Sequence, residues 1–86
     1  MITGDDLLER LDYGLHKTGK DFPAARLFIW SLHKHIHYAL HNPAKRRLGK
    51  LIPKARKWLA EMKWKHPQFK YHFEPLIDLI DEFEKQ

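Results

Sequence analysis

The stretch FPAARLFIWSLHKHIHYALHNP, residues 22–43, decides the fold class. Ala25, Phe28, Ile29, Leu32, Ile36, Ala39 and Leu40 recur at three- and four-residue intervals, which gathers them on one face of an α-helix. A strand would need strict alternation, and His33, Lys34 and His35 break any such pattern. The spacing predicts a helix from about Phe22 to His41, capped by Asp21, with Pro23 in its first turn. Asn42-Pro43 ends it. It is the most apolar helix all round and is expected to be central.

On its N-terminal side, Leu7, Leu8, Leu11 and Leu15 form the stripe of a helix over about Thr3–Thr18. Thr3 is its expected N-cap, Asp5 and Asp6 favour its positive end, and Gly19 is expected to stop it. On the C-terminal side, Gly49 and Pro53 interrupt the pattern, which reads as a short helix over 43–50 and a longer one from Pro53 to about His66. Leu48, Leu51, Ile52, Ala55, Trp58, Leu59 and Met62 supply the buried positions. Pro67 stops that helix, a turn over Gln68–Phe73 follows, and a last helix begins at Pro75. Its Leu76, Ile77, Ile80 and Phe83 face inward, while Asp78, Asp81, Glu82 and Glu84 face outward. Val is absent and Thr scarce, so no β signature competes. The expected fold is all-α, a compact bundle of four to five helices in a single domain over residues 1–86.

Composition narrows the function classes. A chain of 86 residues with 43% hydrophobic content builds one small core, which disfavours a deep self-made pocket. Without cysteine there is neither a disulfide framework nor a thiolate metal site. The acidic start is unlike a signal peptide, and the longest uncharged run, Leu27–Leu32, is too short to span a bilayer. An intracellular, cytoplasmic protein is the simplest expectation.

The formal charge of +5 hides an asymmetry. Between Asn42 and His72 stand ten Lys or Arg and one acid, Glu61; the other residues carry six bases and ten acids. A local excess of this size suits an anionic partner. With Ala55 set at the core of a helical wheel, Lys57 and Trp64 lie opposite it, joined by Arg46 and Lys50 if the helix runs through Pro53. Arg56, Lys63, Lys54 and Lys65 lie on the flanks, and Arg47 adds a further positive charge near the start. Cations release counterions from phosphates and a Trp stacks on an unpaired base, so this segment reads as a nucleic-acid surface making mainly phosphate contacts. The competing reading is a solvated helix face with Trp64 covered by Phe69 and Tyr71. No helix-turn-helix, zinc-finger, RRM or KH signature gives base readout.

Seven histidines form the second feature; full protonation would raise the charge from +5 toward +12. His33, His37 and His41 share a stripe that Arg26 and Trp30 extend, while His35 points elsewhere. This stripe is a second contact zone for a backbone phosphate or a protein. Two His at i and i+4 can also ligate Zn²⁺, completed by His16, His66 or His72, but the spacing alone does not establish a site, and no metal or cofactor is expected.

Acids crowd the last helix at Glu74, Asp78, Asp81, Glu82 and Glu84, either as a solvated face or as partners for the basic one. Asp5, Glu9 and Asp12 share a face of the first helix and would suit a cation or a basic partner. Thr3, Thr18 and Ser31 are the only hydroxyl residues of their kind, none in a nucleophile motif, and no phosphate-binding glycine loop exists. The sequence therefore reads as a non-enzymatic nucleic-acid-binding protein, DNA or RNA. The alternatives are a protein–protein module docking on an acidic partner, compatible with a homodimer, and, less favoured, a His-based metal-binding bundle.

Overall fold

Three X-Pro dipeptides cut the chain into helices. Phe22, Asn42 and His66 precede Pro23, Pro43 and Pro67, and their φ/ψ pairs are nearly identical at −130/76, −131/69 and −129/67. Each proline ring clashes with a helical conformation of the residue before it, which ends the helix there. Each proline then opens a single 3-10 turn: Pro23–Ala25, Pro43–Lys45 and Pro67–Phe69. The computed structural model describes the backbone of all 86 residues and every side chain except that of Lys45. Its four α-helices are α1 (Gly4–Asp21), α2 (Arg26–His41), α3 (Leu48–Lys65) and α4 (Lys70–Glu84), with no strand among the described residues.

The helical class and the bundle agree with the sequence reading, but several boundaries differ. Thr3 does cap α1, its hydroxyl accepting from the Asp6 amide at 3.1 Å. Gly19, expected as the stop, is instead buried inside α1. A Cβ there would lie 2.0 Å from Nε1 of Trp30, so this glycine serves the close approach of an indole rather than a helix end. Gly14 similarly admits Leu76 of α4. Asp21 does not cap α2; it closes α1, and α2 begins only at Arg26.

The prolines expected to start helices lie within them. Pro53 and Pro75 each occupy the sixth position, of α3 and α4 respectively. Each costs one intrahelical bond, to the carbonyls of Gly49 and Tyr71, and both those residues are exposed, so water replaces the lost donor. The separate helix over 43–50 therefore does not form, and α4 begins five residues before Pro75.

Helix α1 is the central element. Leu7, Leu8, Leu11 and Leu15 are fully buried, with α2 packed along one side and α4 along another; α3 packs on α4. Phe73, Ile29, Ile36, Leu59 and Ile80 complete the innermost core, each such burial stabilising by about 1.5–3 kcal/mol. Helix α2, expected at the centre, is peripheral: Phe28, assigned to its buried face, is 62% exposed, and Leu27 is 85% exposed. The termini meet where Gln86 exchanges hydrogen bonds with the backbone of Ile2, its Nε2 donating to the carbonyl at 2.6 Å. No helix among the described residues is long and apolar enough to cross a membrane.

Candidate functional site

The basic residues of α3 divide into two flanks because α3 lies between α4 and the edge of α2. On the α4 side the cations are paired. Arg56 donates through Nε to Oδ1 of Asp81 at 2.5 Å and through Nη2 to Oδ2 at 3.2 Å. This fork holds the Asp81 carboxyl below its ordinary value, with the charges of Arg56 and Lys85 adding and partial burial opposing; it also raises Arg56. Lys63 meets Glu74 at 3.1 Å. The outward acids of α4 are therefore partly partners of α3.

On the other flank the cations have no acid at salt-bridge distance among the described residues. Arg47, Lys50 and Lys54 are exposed and line a groove of about 250 Å³ with His35, Tyr38, Ala39 and Leu51. No carboxylate contributes to this lining. The groove lies at the N-terminus of α3, whose first turn holds no acid and receives no side-chain cap. Its free amide groups add positive partial charge to that of the side chains. Arg46 departs from the expected group: it is half-buried and hydrogen-bonded to Asp5.

Between the flanks runs the outward crest of α3. Lys57 and Lys65 are exposed there with no acid at salt-bridge distance among the described residues. Trp64 is 82% exposed and Tyr71 is 76% exposed, so the aromatic cover expected from the tail is not made. A wide cavity of about 790 Å³ flanks the indole, lined by Pro53, Arg56, Lys57, Ala60 and Lys65 together with the acids Glu61 and Glu84. The crest is thus mixed in charge, whereas the α2-facing groove is not.

The histidine stripe runs along α1, with His33 half-buried against it and Trp30, His37 and His41 exposed. Arg26 donates through Nε to the Gly19 carbonyl at 3.1 Å and through Nη2 to that of Lys20 at 3.4 Å, capping the C-terminal end of α1. Its guanidinium lies 5.2 Å from the Trp30 ring, and Trp30 stacks on His16 with ring centroids 6.4 Å apart. His33 and His37 both turn Nδ1 toward Asp12, and His41 lies against His37 with centroids 4.3 Å apart. The carboxylates Asp5, Glu9 and Asp12 do not act together: Asp5 meets Arg46, Asp12 meets the histidines, and Glu9 is exposed. His66 and His72 lie near Phe22 and Phe69, away from this cluster.

Two contributors to the groove were missed at the sequence level. Tyr38 and His35 are three residues apart on α2, and only the approach of the two helices brings them beside Arg47, Lys50 and Lys54. The available signal was the absence of any apolar role for Tyr38, which stands outside the buried stripe of α2. Comparison with protein-family models, curated proteins and solved structures finds no match, so the reading of this site rests on its own geometry.

Proposed function

We propose that this protein is a small, non-enzymatic, cytoplasmic nucleic-acid-binding protein that grips the phosphate backbone along the α2-facing flank of α3. Arg47, Lys50 and Lys54 take phosphates at the groove, and Lys57 and Lys65 continue the track along the crest. Tyr38 and Trp64 offer exposed rings to unpaired bases. The carrying observation is the groove itself, where three cations converge without a carboxylate, while Arg56 and Lys63 on the opposite flank are each held by an acid. A chain of lysines and arginines without base-reading geometry favours affinity over sequence preference.

Tryptophan fluorescence titrated with single-stranded and duplex oligonucleotides at 50 and 200 mM salt tests the proposal. Saturable quenching is expected, strongest for single strands, with affinity falling by about 10³ or more over that salt range if six or more phosphates are engaged. Absence of binding at 50 mM salt overturns it.

The exposure of Leu27 and Phe28, which a phosphate backbone does not need, favours an acidic protein partner as the second reading. Saturable binding to an acidic polypeptide with a shallow salt dependence, and none to oligonucleotides, would select that reading.

A further inference from the structure

The contact between α1 and α2 carries a second constellation, independent of the basic groove. Asp12 and His16 are one turn apart on α1; His33 and His37 are one turn apart on α2. The two pairs face each other and, with Tyr13, line one surface depression. Oδ1 of Asp12 lies 3.1 Å from Nδ1 of His33 and 3.3 Å from Nδ1 of His37. One possible ligand atom from each of Asp12, His33 and His37 lies within 4.8 Å of the other two.

Hydrogen bonds leave this cluster incomplete. Nδ1 of His33 is directed at the backbone carbonyl of Asp12 at 3.1 Å, and Nδ1 of His37 at Oδ2 at 3.3 Å. Oδ1 is buried and has no hydrogen-bond partner. A buried carboxylate oxygen without a partner is costly, and the two imidazole nitrogens at 3.1 and 3.3 Å make no hydrogen bond to it. A cation placed among the three atoms would satisfy the oxygen and both nitrogen lone pairs at once. The two oxygen–nitrogen separations match such an ion. With metal–ligand bonds of about 2.0–2.1 Å, neighbouring ligands of a tetrahedral zinc ion stand about 3.3–3.4 Å apart.

We propose that Asp12, His33 and His37 form a binding site for a divalent transition-metal ion of the zinc class, Asp12 through Oδ1 and each histidine through Nδ1. Water fills the fourth position on the His16 side. Both ligating imidazoles then carry their proton on Nε2, and His33 exchanges its carbonyl contact for the metal. Two imidazoles and a single carboxylate select zinc-class ions over Mg²⁺ or Ca²⁺, which take oxygen ligands. The ion would pin α2 to α1 at mid-length. His41 touches His37 but lies outside the ligand set.

The experiment is calorimetric titration of the full chain with ZnCl₂ near neutral pH, paired with thermal melts and with long-range ¹H–¹⁵N spectra of the imidazoles. One Zn²⁺ per chain is expected. At a free concentration of a hundred times Kd, the melting temperature should rise by on the order of 10 °C. The spectra should show Nδ1 ligation at His33 and His37 only. His37→Gln, at an exposed position, and the isosteric Asp12→Asn should each weaken binding by about tenfold or more, while His41→Gln should not. MgCl₂ should leave the melt unchanged. Failure to bind below about 1 mM, equal affinity in His37→Gln, or ligation at other histidines would overturn the proposal and leave the cluster as a hydrogen-bonded contact between helices. Circular dichroism of His37→Gln without metal separates loss of ligation from loss of fold.

Discussion

The two flanks of α3 carry similar residues and opposite electrostatics. On the α4 side, Arg56 and Lys63 are matched by Asp81 and Glu74. On the α2 side, Arg47, Lys50 and Lys54 line a groove to which neither α2 nor α3 contributes a carboxylate. The difference shows why a local charge count is a poor guide to a binding surface. Part of the positive excess of the 42–72 segment orients α3 on α4. Arg46 is held by Asp5 of α1. Arg47, Lys50 and Lys54 have no acid at salt-bridge distance among the described residues, and like charges brought together at one groove repel unless an anion joins them.

Reversing the unpaired flank together with Lys57 of the adjoining crest should give the largest effect. Lys50→Glu, Lys54→Glu and Lys57→Glu combined should lower oligonucleotide affinity at 50 mM salt by on the order of 100-fold and reduce the salt slope by about two to three units. Helicity by circular dichroism should be unchanged, since all three side chains are exposed. The paired flank answers differently: Arg56→Gln should change the salt slope little, because Asp81 already holds that charge. A smaller effect follows from the aromatic rings. Trp64→Ala should weaken single-strand binding by about 1–3 kcal/mol per stacked base, with Tyr38→Ala in the same range, and neither should much affect duplex affinity.

Smaller still is the conversion of one flank toward the other. Asp81→Asn frees Arg56 and should raise the salt slope toward one additional phosphate contact, measured by the same titrations. Its cost in folding should stay within about 0–1 kcal/mol, because the pair is 42% and 35% exposed. The smallest effect is on acid stability. Asp81 is held below the ordinary aspartate value of 3.8, so its contribution is present above that pH and is lost as the pH falls through the lower folded value. Acid unfolding curves of the wild type and Asp81→Asn should therefore converge at acid pH once Asp81 is protonated in the folded state and differ above that; a constant offset at all pH values would mean that the carboxyl charge is not the source.

The helices were legible because their stripes are. Leu7, Leu8, Leu11 and Leu15, and Ile29, Leu32 and Ile36, announce both the period and the buried face. The prolines were harder to read. Pro23, Pro43, Pro67, Pro53 and Pro75 look alike in sequence, yet the first three follow residues in a non-helical conformation and the last two lie inside helices. Inside the helices the residues four upstream, Gly49 and Tyr71, are exposed, whereas Gly19 and Ala39 before Pro23 and Pro43 are buried, and exposure is a tertiary property. Gly19 misled for the same reason: a glycine that ends a helix and one that admits an indole have the same letter. Of the site, the basic run and the placement of Trp64 opposite the buried face of α3 were legible from spacing, but whether the following tail covers that indole was not. The sorting of its cations into paired and unpaired flanks depends on which helix lies beside each, and the convergence of Asp12 on His33 and His37 depends on the register of α1 against α2.

The unpaired flank of α3 is best interrogated by ¹H–¹⁵N chemical-shift mapping of the full chain with a short single-stranded oligonucleotide at 50 mM salt. Shifts should concentrate at Arg47, Lys50, Lys54 and Lys57, at Tyr38 and His35 across the groove, and at the Trp64 indole, with Arg56, Lys63 and α4 little changed. Shifts confined to the α4-facing flank, or a spectrum unmoved by the oligonucleotide, would contradict the assignment of that groove to nucleic acid.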